Sequence, residues 1–331
     1  MELQIVNSIN RNREVEIIKT PLFNKSSGSA FIEANTLPIS ISHLRDDCTI
    51  PVFSKDNEVT ISHQEFIEAM HNSVTSVFPD QHCSHPEIRV SHSIKGRIFE
   101  AIRKPVSELL PNEKTIYYER CAFTIDIPTI VESVGGNQLS LTVGGVRAYN
   151  QENLYSKKTI EKFKVFIGYK NKICTNLCIS TDGFSEEIRV SSIEELQQKM
   201  ITLFSNYDSE KHLYQMKQLQ EQYLTEKQFA QILGKARLYN HLPKEQKQEL
   251  PQFAFNDSQL NTVAKDYYED KSFCKDENGN INLWNVYNLF TGANKSSYID
   301  SFLDRSVNAH TFTNSVSEAL KGNRDYHWFL G

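Results

Sequence analysis

The sequence lacks several features that would place it in a familiar class. No stretch approaches the roughly 18 to 20 consecutive apolar residues that a membrane-spanning helix requires, so we expect no membrane span. The first twenty residues alternate apolar and charged side chains without an apolar h-region, so we expect no secretory signal there. Nucleotide and hydrolase motifs are missing as well: there is no P-loop lysine, no G-x-G-x-x-G and no nucleophile elbow.

Cysteine and positive charge are also in short supply. The six cysteines are spread from Cys48 to Cys274, which is sparse for the disulfide framework of a small secreted domain. We therefore expect free thiols in a reducing compartment, the cytoplasm. The net charge of -5 argues against a protein that coats nucleic acid with its whole surface, and it leaves a local basic site open.

Composition and periodicity predict an α+β fold. With 39% hydrophobic residues in a chain of 331, there is enough apolar material for a substantial core. Residues 1–36 carry weak periodicity and are predicted to form a partly ordered N-terminal arm. Residues 37–190 mainly alternate with a period of two, which predicts a mostly antiparallel sheet with helices on one face. The period changes to about 3.6 from Ser191, so residues 191–331 are predicted to form a helical, aromatic-rich C-terminal region.

Capping signals and an alternating pattern locate individual elements. Three pairs have the spacing of a capping box at a helix N-terminus: Ser62 with Glu65, Ser191 with Glu194, and Thr225 with Gln228. Further helices are predicted near residues 257–270, 281–291 and 306–321. Apolar side chains alternate on both sides of the Gly135-Gly136 pair, which predicts a β-hairpin. Pro128 indicates that the tip of this hairpin is long or bulged.

The stretch YKNKICTNLCIS in the predicted sheet contains two cysteines four residues apart. A three-residue loop would pair Tyr169 with Ile173 and would put Leu177 among the aliphatic side chains of the preceding strand. On a strand, residues four apart are separated by roughly 13 Å, which is too far to share one zinc ion or to form a disulfide. We therefore interpret Cys174 and Cys178 as packing residues, not as a redox pair.

A basic segment of the sheet domain carries the strongest binding signal. Between residues 151 and 175, six lysines stand against two glutamates in an acidic chain. The predicted register exposes an aromatic ring among lysines on one strand face, an arrangement that suits phosphate contact and base stacking on single strands. The alternative is a solvated lysine face that blocks edge-to-edge aggregation. The predicted nucleic-acid-binding residues are Lys162, Lys164, Phe166, Lys170, Lys172 and Arg120.

Two other segments imitate metal sites. His82, Cys83, His85 and His92 supply nitrogen and sulfur ligands, but their spacing matches no standard structural zinc site. The segment CKDENGNINLW has a glycine at the sixth position of a calcium loop but lacks the first ligand and the bidentate glutamate. We predict a polar turn there, leading into the helix that carries Trp284. We expect no bound metal, no cofactor and no catalytic residue.

Two long stretches resemble a known family. They are LTVGGVRAYNQENLYSKKTIEKFKVFIGYKNKICTNLCISTDG and LWNVYNLFTGANKSSYIDSFLDRSVNA. Both are similar to the domain of unknown function family thirty-eight seventy-one of gut bacteria and their mobile elements, over about residues 30–331. More distantly, the CTN at Cys174 and the LWNVYNLFTG at Leu283 are similar to the phage/plasmid-like protein family. The resemblance implies a context of plasmids, phages and integrated elements, and it assigns no activity or site residue.

These observations are compatible with two functions. The first is a non-enzymatic nucleic-acid-binding protein of a phage, plasmid or integrated element, which binds single-stranded DNA in replication or annealing. The second is a protein-binding module that acts on a host factor, for example in anti-defence, through its helical, aromatic-rich end. An unrecognised enzyme ranks third, because the lone His310 has no carboxylate or nucleophile at a recognised spacing and is expected to be a packed residue.

Overall fold

The computed structural model describes residues 29–48, 60–101, 103–149 and 160–331. Most of the predicted N-terminal arm, residues 1–28, lies outside the described residues. Lys157 and Lys158 of the basic segment lie outside them as well.

The described residues form nine α-helices and eleven β-strands. The helices are α1 (Ile41–Asp46), α2 (His63–Val77), α3 (Ile193–Asn206), α4 (Ser209–Gln220), α5 (Glu226–Asn240), α6 (Lys244–Gln248), α7 (Asp257–Glu269), α8 (Leu283–Asn294) and α9 (Ile299–Leu320). The strands are β1 (Leu37–Ile39), β2 (Glu87–Val90), β3 (Ser93–Arg97), β4 (Lys114–Tyr118), β5 (Arg120–Val134), β6 (Asn137–Ala148), β7 (Glu161–Asn171), β8 (Leu177–Cys178), β9 (Phe184–Val190), β10 (Tyr223–Leu224) and β11 (Ile281–Asn282).

A seven-stranded sheet forms the centre of the fold. Its strands follow the order β1-β2-β5-β6-β7-β8, and β9 pairs with the part of β7 that β8 leaves free. All of these pairs are antiparallel. The predicted α+β class, with a mostly antiparallel sheet and a helical C-terminal region, is confirmed. Within the described ranges, no helix combines the length and the apolar character that crossing a membrane requires.

The β5–β6 hairpin is the longest pairing in the sheet. Its tip is the tight pair Gly135-Gly136, whose φ values of 58° and 76° lie in the left-handed region that glycine adopts without strain. The irregularity that Pro128 predicted lies further down the hairpin, where the register shifts between Ile127 and Val131. The prediction of a bulge is therefore confirmed, and the prediction of a long tip is wrong.

The register between β7 and β8 differs from the predicted one. Tyr169 pairs with Cys178 and not with Ile173, while Lys170 pairs with Leu177. Because side chains alternate between the faces of a sheet, this shift moves Leu177 to the face that was predicted to carry the lysines. The predicted register is wrong.

The turn between β7 and β8 explains the shift. It is longer than a tight hairpin loop, and the Asn171 side chain organises it by accepting the backbone N–H of Cys174 at 3.2 Å. Thr175 takes a positive φ of 59°. Contacts from distant residues hold this conformation, because Lys295 Nζ donates to the Cys174 carbonyl and the Asn176 amide donates to the carbonyl of Asn288 at 3.1 Å.

Both faces of the sheet are buried. One face joins α2, α3 and the C-terminal helices in the main core. The predicted fold placed helices over one face, and the structure adds the first half of α9 and the segment 29–36 on the other. The second core consists of Phe31, Ile32, Ala122, Val146, Phe166, Leu177, Ile179, Ile299, Phe302, Leu303 and Val307.

Two of the three predicted capping boxes are present at the predicted residues. Ser62 caps α2 and Thr225 caps α5, each with the reciprocal hydrogen bonds of a capping box. The third cap lies one residue later than predicted: Ser192 accepts the N–H of Glu195, and the Glu195 carboxylate accepts the N–H of Ser191 at 3.0 Å. Ser191 and Ser192 each have a glutamate three residues later, so the capping-box pattern did not distinguish between the two serines.

The aromatic residues of the C-terminal region form a dense cluster. Phe312 on α9 packs edge-on against Phe253, Phe290 and Phe329, with ring centroids 4.9, 5.6 and 4.8 Å away. These rings belong to the same core as the main face of the sheet. The helical region therefore docks on the sheet and shares its core.

Phe166→Ala and Leu177→Ala are expected to destabilise the protein similarly, because α9 buries both side chains against the sheet. Such substitutions cost about 3–5 kcal/mol for phenylalanine and about 2–5 kcal/mol for leucine. Ile173→Ala is the matched control, since Ile173 is 73% exposed and a change within about 0.5 kcal/mol is expected. Urea denaturation followed by circular dichroism measures all three. A Phe166→Ala protein as stable as Ile173→Ala would contradict the buried second face.

Candidate functional site

The predicted nucleic-acid-binding residues make their contacts mainly within the protein. Four of the cations are paired with carboxylates: Lys162 with Glu187 at 2.9 Å, Lys164 with Asp304, Lys170 with Asp126 at 2.7 Å, and Arg120 with Asp300 at 3.1 Å. Two of these carboxylates, Asp300 and Asp304, belong to α9. The helix that covers this face thus also neutralises its charge. Lys172 lies in the turn after β7 and is exposed.

The aromatic residue of this face is inaccessible. Phe166 is 1% exposed and packs in the core beneath α9, so the prediction of an exposed stacking ring is wrong. The physical reason is that α9 forms a second layer over this face, and the alternation of side chains along β7 does not reveal such a layer. Without that ring, the face lacks the combination of cations and stacking surface on which the nucleic-acid prediction rested.

The side chains of the histidine-rich segment, which lies on both sides of β2, do not come together at one point. His82, His85 and His92 are exposed, and Cys83 is half-buried. Across the described residues, no group of three His, Cys, Asp or Glu side chains is placed to hold a metal ion. The loop is anchored instead through Ser84, whose N–H donates to a backbone carbonyl of β5 at 2.8 Å.

The calcium-like segment is a polar turn, as predicted. The Asp276 carboxylate accepts the backbone N–H groups of Asn278 at 2.9 Å and Asn280 at 2.7 Å, and Gly279 takes a φ of 82°. The turn leads directly into α8, which Asn282 caps. The carboxylate that resembled a calcium ligand therefore serves the turn itself.

The two cysteines of YKNKICTNLCIS lie in different environments. Cys174 is half-buried in the turn after β7, and Cys178 is fully buried in β8. Burial raises the pKa of both thiols. A redox or metal-binding pair requires a thiolate, which a lowered pKa supplies. The interpretation of these cysteines as packing residues therefore agrees with their burial.

A small cleft opens where α1, the first turn of α2 and β4 meet. The space it encloses is about 30 Å³, which has room for a water-sized group and is far below the 300–1,000 Å³ of most small-molecule pockets. Its walls come from four separate parts of the chain. The lining residues are Leu44, Cys48, Ser62, His63, Gln64, Tyr117, Tyr118 and Tyr149.

His63, one of the lining residues, has a buried hydrogen-bond acceptor. Its Nε2 lies 2.9 Å from the carbonyl oxygen of Tyr118, and because a carbonyl only accepts, Nε2 carries the proton. In the neutral ring Nδ1 is then an acceptor, and it is buried without a hydrogen-bond partner among the described residues. Burial and the nearby Arg147 guanidinium lower the pKa of His63 to about 3. The ring is therefore neutral at physiological pH.

A buried ion pair fixes the chain that enters α2. Arg147 near the end of β6 pairs with Glu161 at the start of β7. Arg147 also donates to the carbonyl of Ile61, and Glu161 accepts the N–H of Ile61 at 3.0 Å. The guanidinium lies 4.6 Å from the ring centroid of Tyr149 and 4.5 Å from that of Phe163. The pair thus connects the central strands to the residues just before the α2 cap.

A chain of hydrogen bonds reaches the cleft through Tyr118. His43 Nδ1 lies 2.8 Å from Asp47 Oδ2, and His43 Nε2 lies 2.9 Å from the Tyr118 hydroxyl. An ionised carboxylate only accepts, so Nδ1 carries the proton of the neutral ring and Nε2 accepts from the hydroxyl. The Tyr118 hydroxyl donates its proton to His43. Its oxygen therefore has free lone pairs with which to accept a hydrogen bond from a ligand.

The electrostatics of the cleft disfavour nucleophilic attack by its thiol and its phenol. Burial, together with Cys48 and Asp47, raises the pKa of Tyr118 to about 12. Burial and Asp47 raise the pKa of the Cys48 thiol to about 12 as well. Both groups stay protonated at neutral pH, whereas activated nucleophiles in enzymes have a lowered pKa or an adjacent base that removes the proton during attack.

Sequence reasoning did not find this cleft. The one local signal is the spacing of His43 on α1 and Asp47 at its C-cap, which are four residues apart and face each other. Tyr118 is 75 residues from His43 and 55 residues from His63. Contacts over such separations leave no periodic trace in the sequence, so only the folded chain reveals them.

A pair of buried histidines lies between α4 and α9. The ring centroids of His212 and His310 are 5.0 Å apart, and the Tyr207 hydroxyl lies 2.7 Å from His212 Nδ1. Burial lowers the pKa of both rings, that of His310 to about 4. His310 is a packed residue, as predicted.

The fold and the cleft define an α+β protein with a small, hydrogen-bonding site. The chain belongs to the family whose model is described as "Domain of unknown function, B. Theta Gene description (DUF3871)", which matches residues 12–330. The resemblance to this family is thereby confirmed, while the association with mobile elements stays a prediction. No curated protein and no solved structure matches the chain. Family membership assigns no activity, so the function has to be argued from the geometry.

Arg147→Leu is expected to destabilise the protein by about 3–5 kcal/mol, because it leaves the Glu161 carboxylate buried without its partner. The double variant Arg147→Leu/Glu161→Leu should recover part of this loss, since it removes both buried charges. Lys265→Leu is the control, because its pair with Glu269 is exposed and contributes at most about 1 kcal/mol. Urea denaturation curves compare the three. An Arg147→Leu protein no less stable than the control would contradict the role of the buried pair.

Stability is expected to fall as the pH drops from about 6.5 towards 4. His63 and His310 have pKa values of about 3 and about 4 in the folded protein, below the value of about 6.5 expected for unfolded chains. Below pH 6.5 the unfolded state binds protons that the folded state excludes, so stability is complete above that pH and is lost below it. Urea midpoints measured from pH 8 to pH 4 test this.

Variants in which a histidine is replaced by a residue that does not titrate distinguish the contribution of the histidines to the pH dependence of stability from that of the carboxylates. His63→Gln retains an N–H donor for the Tyr118 carbonyl and removes the titration, so its stability should fall less steeply with pH. His85→Gln, at an exposed position, should keep the wild-type slope. An unchanged slope in His63→Gln would show that His63 does not have the lowered pKa.

Proposed function

We propose that this protein is a non-enzymatic binding module whose cleft takes a cationic head-group, the ammonium or guanidinium of a basic side chain on a partner protein. The observation that carries the proposal is the buried Nδ1 of His63, an acceptor without a hydrogen-bond partner. An unpaired buried polar atom costs about 1–3 kcal/mol. A ligand that donates a hydrogen bond to Nδ1 would offset that cost.

The hydrogen-bonding polarity of the cleft favours such a ligand. His63 Nδ1 is an acceptor because Nε2 carries the proton, and Tyr118 Oη is an acceptor because its proton is directed to His43. Ammonium and guanidinium groups donate and do not accept. Hydrogen bonds from charged donors are roughly twice as strong as those between neutral groups. The tyrosine rings that line the cleft are also suited to a cation.

The charges around the cleft agree with a cationic ligand. The carboxylate of Asp47 is partly exposed beside His43, and the neighbouring Asp46 is exposed. The nearest basic residue of α1, Arg45, is already paired with Glu68 at 2.7 Å. His63 is neutral, so it does not oppose a bound cation, and the nearby Arg147 guanidinium is paired with Glu161.

The size of the cleft favours one side chain over a whole cofactor. The enclosed space of about 30 Å³ has room for a water-sized group such as the ammonium of a lysine side chain, and it is too small for a drug-sized molecule. Side chains that enter small pockets supply much of the energy of protein–protein interfaces, and arginine is prominent among them. A basic side chain on a protein partner therefore fits both the chemistry and the volume.

This proposal develops the second of the two functions expected from the sequence, and it uses a different surface from the helical, aromatic-rich end. Nucleic-acid binding stays a prediction, and a phosphate backbone would meet acceptors and carboxylates at the cleft. A role in a phage, plasmid or integrated element, an anti-defence role against a host factor, and a cytoplasmic location also stay proposals. The six free cysteines support a reducing compartment.

Titration with a lysine- and arginine-rich hexapeptide, acetylated and amidated at its ends, tests the proposal by calorimetry at low salt. Saturable binding is expected, and a glutamate-rich hexapeptide should not bind. Tyr118→Phe removes the Oη acceptor and keeps the ring, so it should weaken binding about tenfold to a hundredfold, since hydrogen bonds to charged groups contribute about 1.5–3 kcal/mol.

Tyr268→Phe is the matched control, because Tyr268 is an exposed tyrosine of α7 and does not line the cleft. Equal affinity of the two variants, or equal binding of the basic and acidic peptides, would sink the proposal. Retardation of a single-stranded oligonucleotide, without peptide binding and with a steep salt dependence, would favour the nucleic-acid hypothesis instead.

A further inference from the structure

The Tyr118 hydroxyl is connected to solvent through His43. The His43 side chain is 16% exposed, so solvent protons reach its ring, while Tyr118 is buried at the cleft. In the neutral form of His43, Nδ1–H donates to Asp47 and Nε2 accepts the Tyr118 proton over 2.9 Å. The proton of the hydroxyl is thereby directed away from a ligand.

We propose that protonation of His43 reverses the hydrogen-bonding polarity of the Tyr118 hydroxyl, so that the cleft releases its cationic ligand as the pH falls. This inference rests on the proposed function, because it concerns the regulation of the same cleft. It states the condition, a fall in pH, under which the cleft releases the bound ligand.

The reversal follows from the number of protons on the imidazole ring. A proton taken from solvent binds Nε2, so both ring nitrogens of His43 become donors. Nδ1–H still donates to Asp47, whereas Nε2–H now donates to Tyr118 Oη. The proton of Tyr118 loses its acceptor and turns away from His43, and the hydroxyl becomes a donor towards the cleft. A bound ammonium group then meets a donor in place of an acceptor, next to a new positive charge.

The groups that face His43 do not produce this effect by themselves. Asp47 on α1 holds Nδ1, and the neighbouring carboxylate on α2, Glu68, is paired with Arg45. The pKa of Cys48 and that of Tyr118 are raised to about 12, so neither ionises between pH 5 and pH 8.

His63, the other histidine at the cleft, also keeps its charge state in this range. Its pKa is lowered to about 3, so it stays neutral from pH 8 down to pH 5. Lysine and arginine side chains of the peptide remain charged over the same range. The change in binding is therefore assigned to the proton on His43, whose position Asp47 fixes.

The test combines binding and spectroscopy on the full chain. The affinity for the basic hexapeptide is measured by calorimetry from pH 8 to pH 5, and the titration of His43 is followed in the same protein by the NMR signals of its ring. We expect at least a tenfold loss of affinity, with a midpoint that coincides with the His43 titration. His43→Gln does not titrate and should bind with little dependence on pH.

His85→Gln, at an exposed position outside the cleft, is the matched control and should keep the wild-type pH dependence. Binding at pH 8 that persists unchanged to pH 5 in the wild type would overturn the switch and leave the proposed function standing. A pH dependence retained in folded His43→Gln would overturn the switch as well. Absence of binding at every pH would overturn both.

Discussion

The ion pair between Arg147 and Glu161 connects the sheet to the candidate site. Both residues also hold the backbone of Ile61, the residue just before the α2 cap. Removing either partner would leave a buried charge uncompensated, at a cost of several kcal/mol, so the three groups stay together in the folded protein. This contact sets where α2 begins, and with it the position of His63 at the cleft.

The second constraint is that layers cover both faces of the sheet. A sheet buried on two sides has no free face for a ligand, and its lysines need counter-charges from the covering layer. The first half of α9 supplies Asp300 and Asp304 to Arg120 and Lys164. The face of β7 that carries Lys164 and Phe166, which suggested a binding surface, is therefore an interface with α9 within the protein.

The hydrogen-bonding properties of the cleft depend more on the positions of protons on its side chains than on charge. His63 is neutral because it is buried beside a guanidinium, and its tautomer is fixed by the Tyr118 carbonyl. The Tyr118 hydroxyl is oriented by His43, which Asp47 orients in turn. In the proposed function, the acceptors His63 Nδ1 and Tyr118 Oη would receive the hydrogen bonds of the ligand, and the proton on His43 would control the second of them.

Local patterns in the sequence determined where several helices begin and where the β5–β6 hairpin lies. The caps at Ser62 and Thr225, the β5–β6 alternation and the helices of the C-terminal region depend on residues within a few positions of each other. The tertiary structure alone decided the β7–β8 register, the burial of Phe166 and the convergence of His63 with Tyr118. Those features depend on partners up to 140 residues away, as in the contact between β7 and α9. Periodicity shows which side chains share a face of an element, but only packing decides what covers that face.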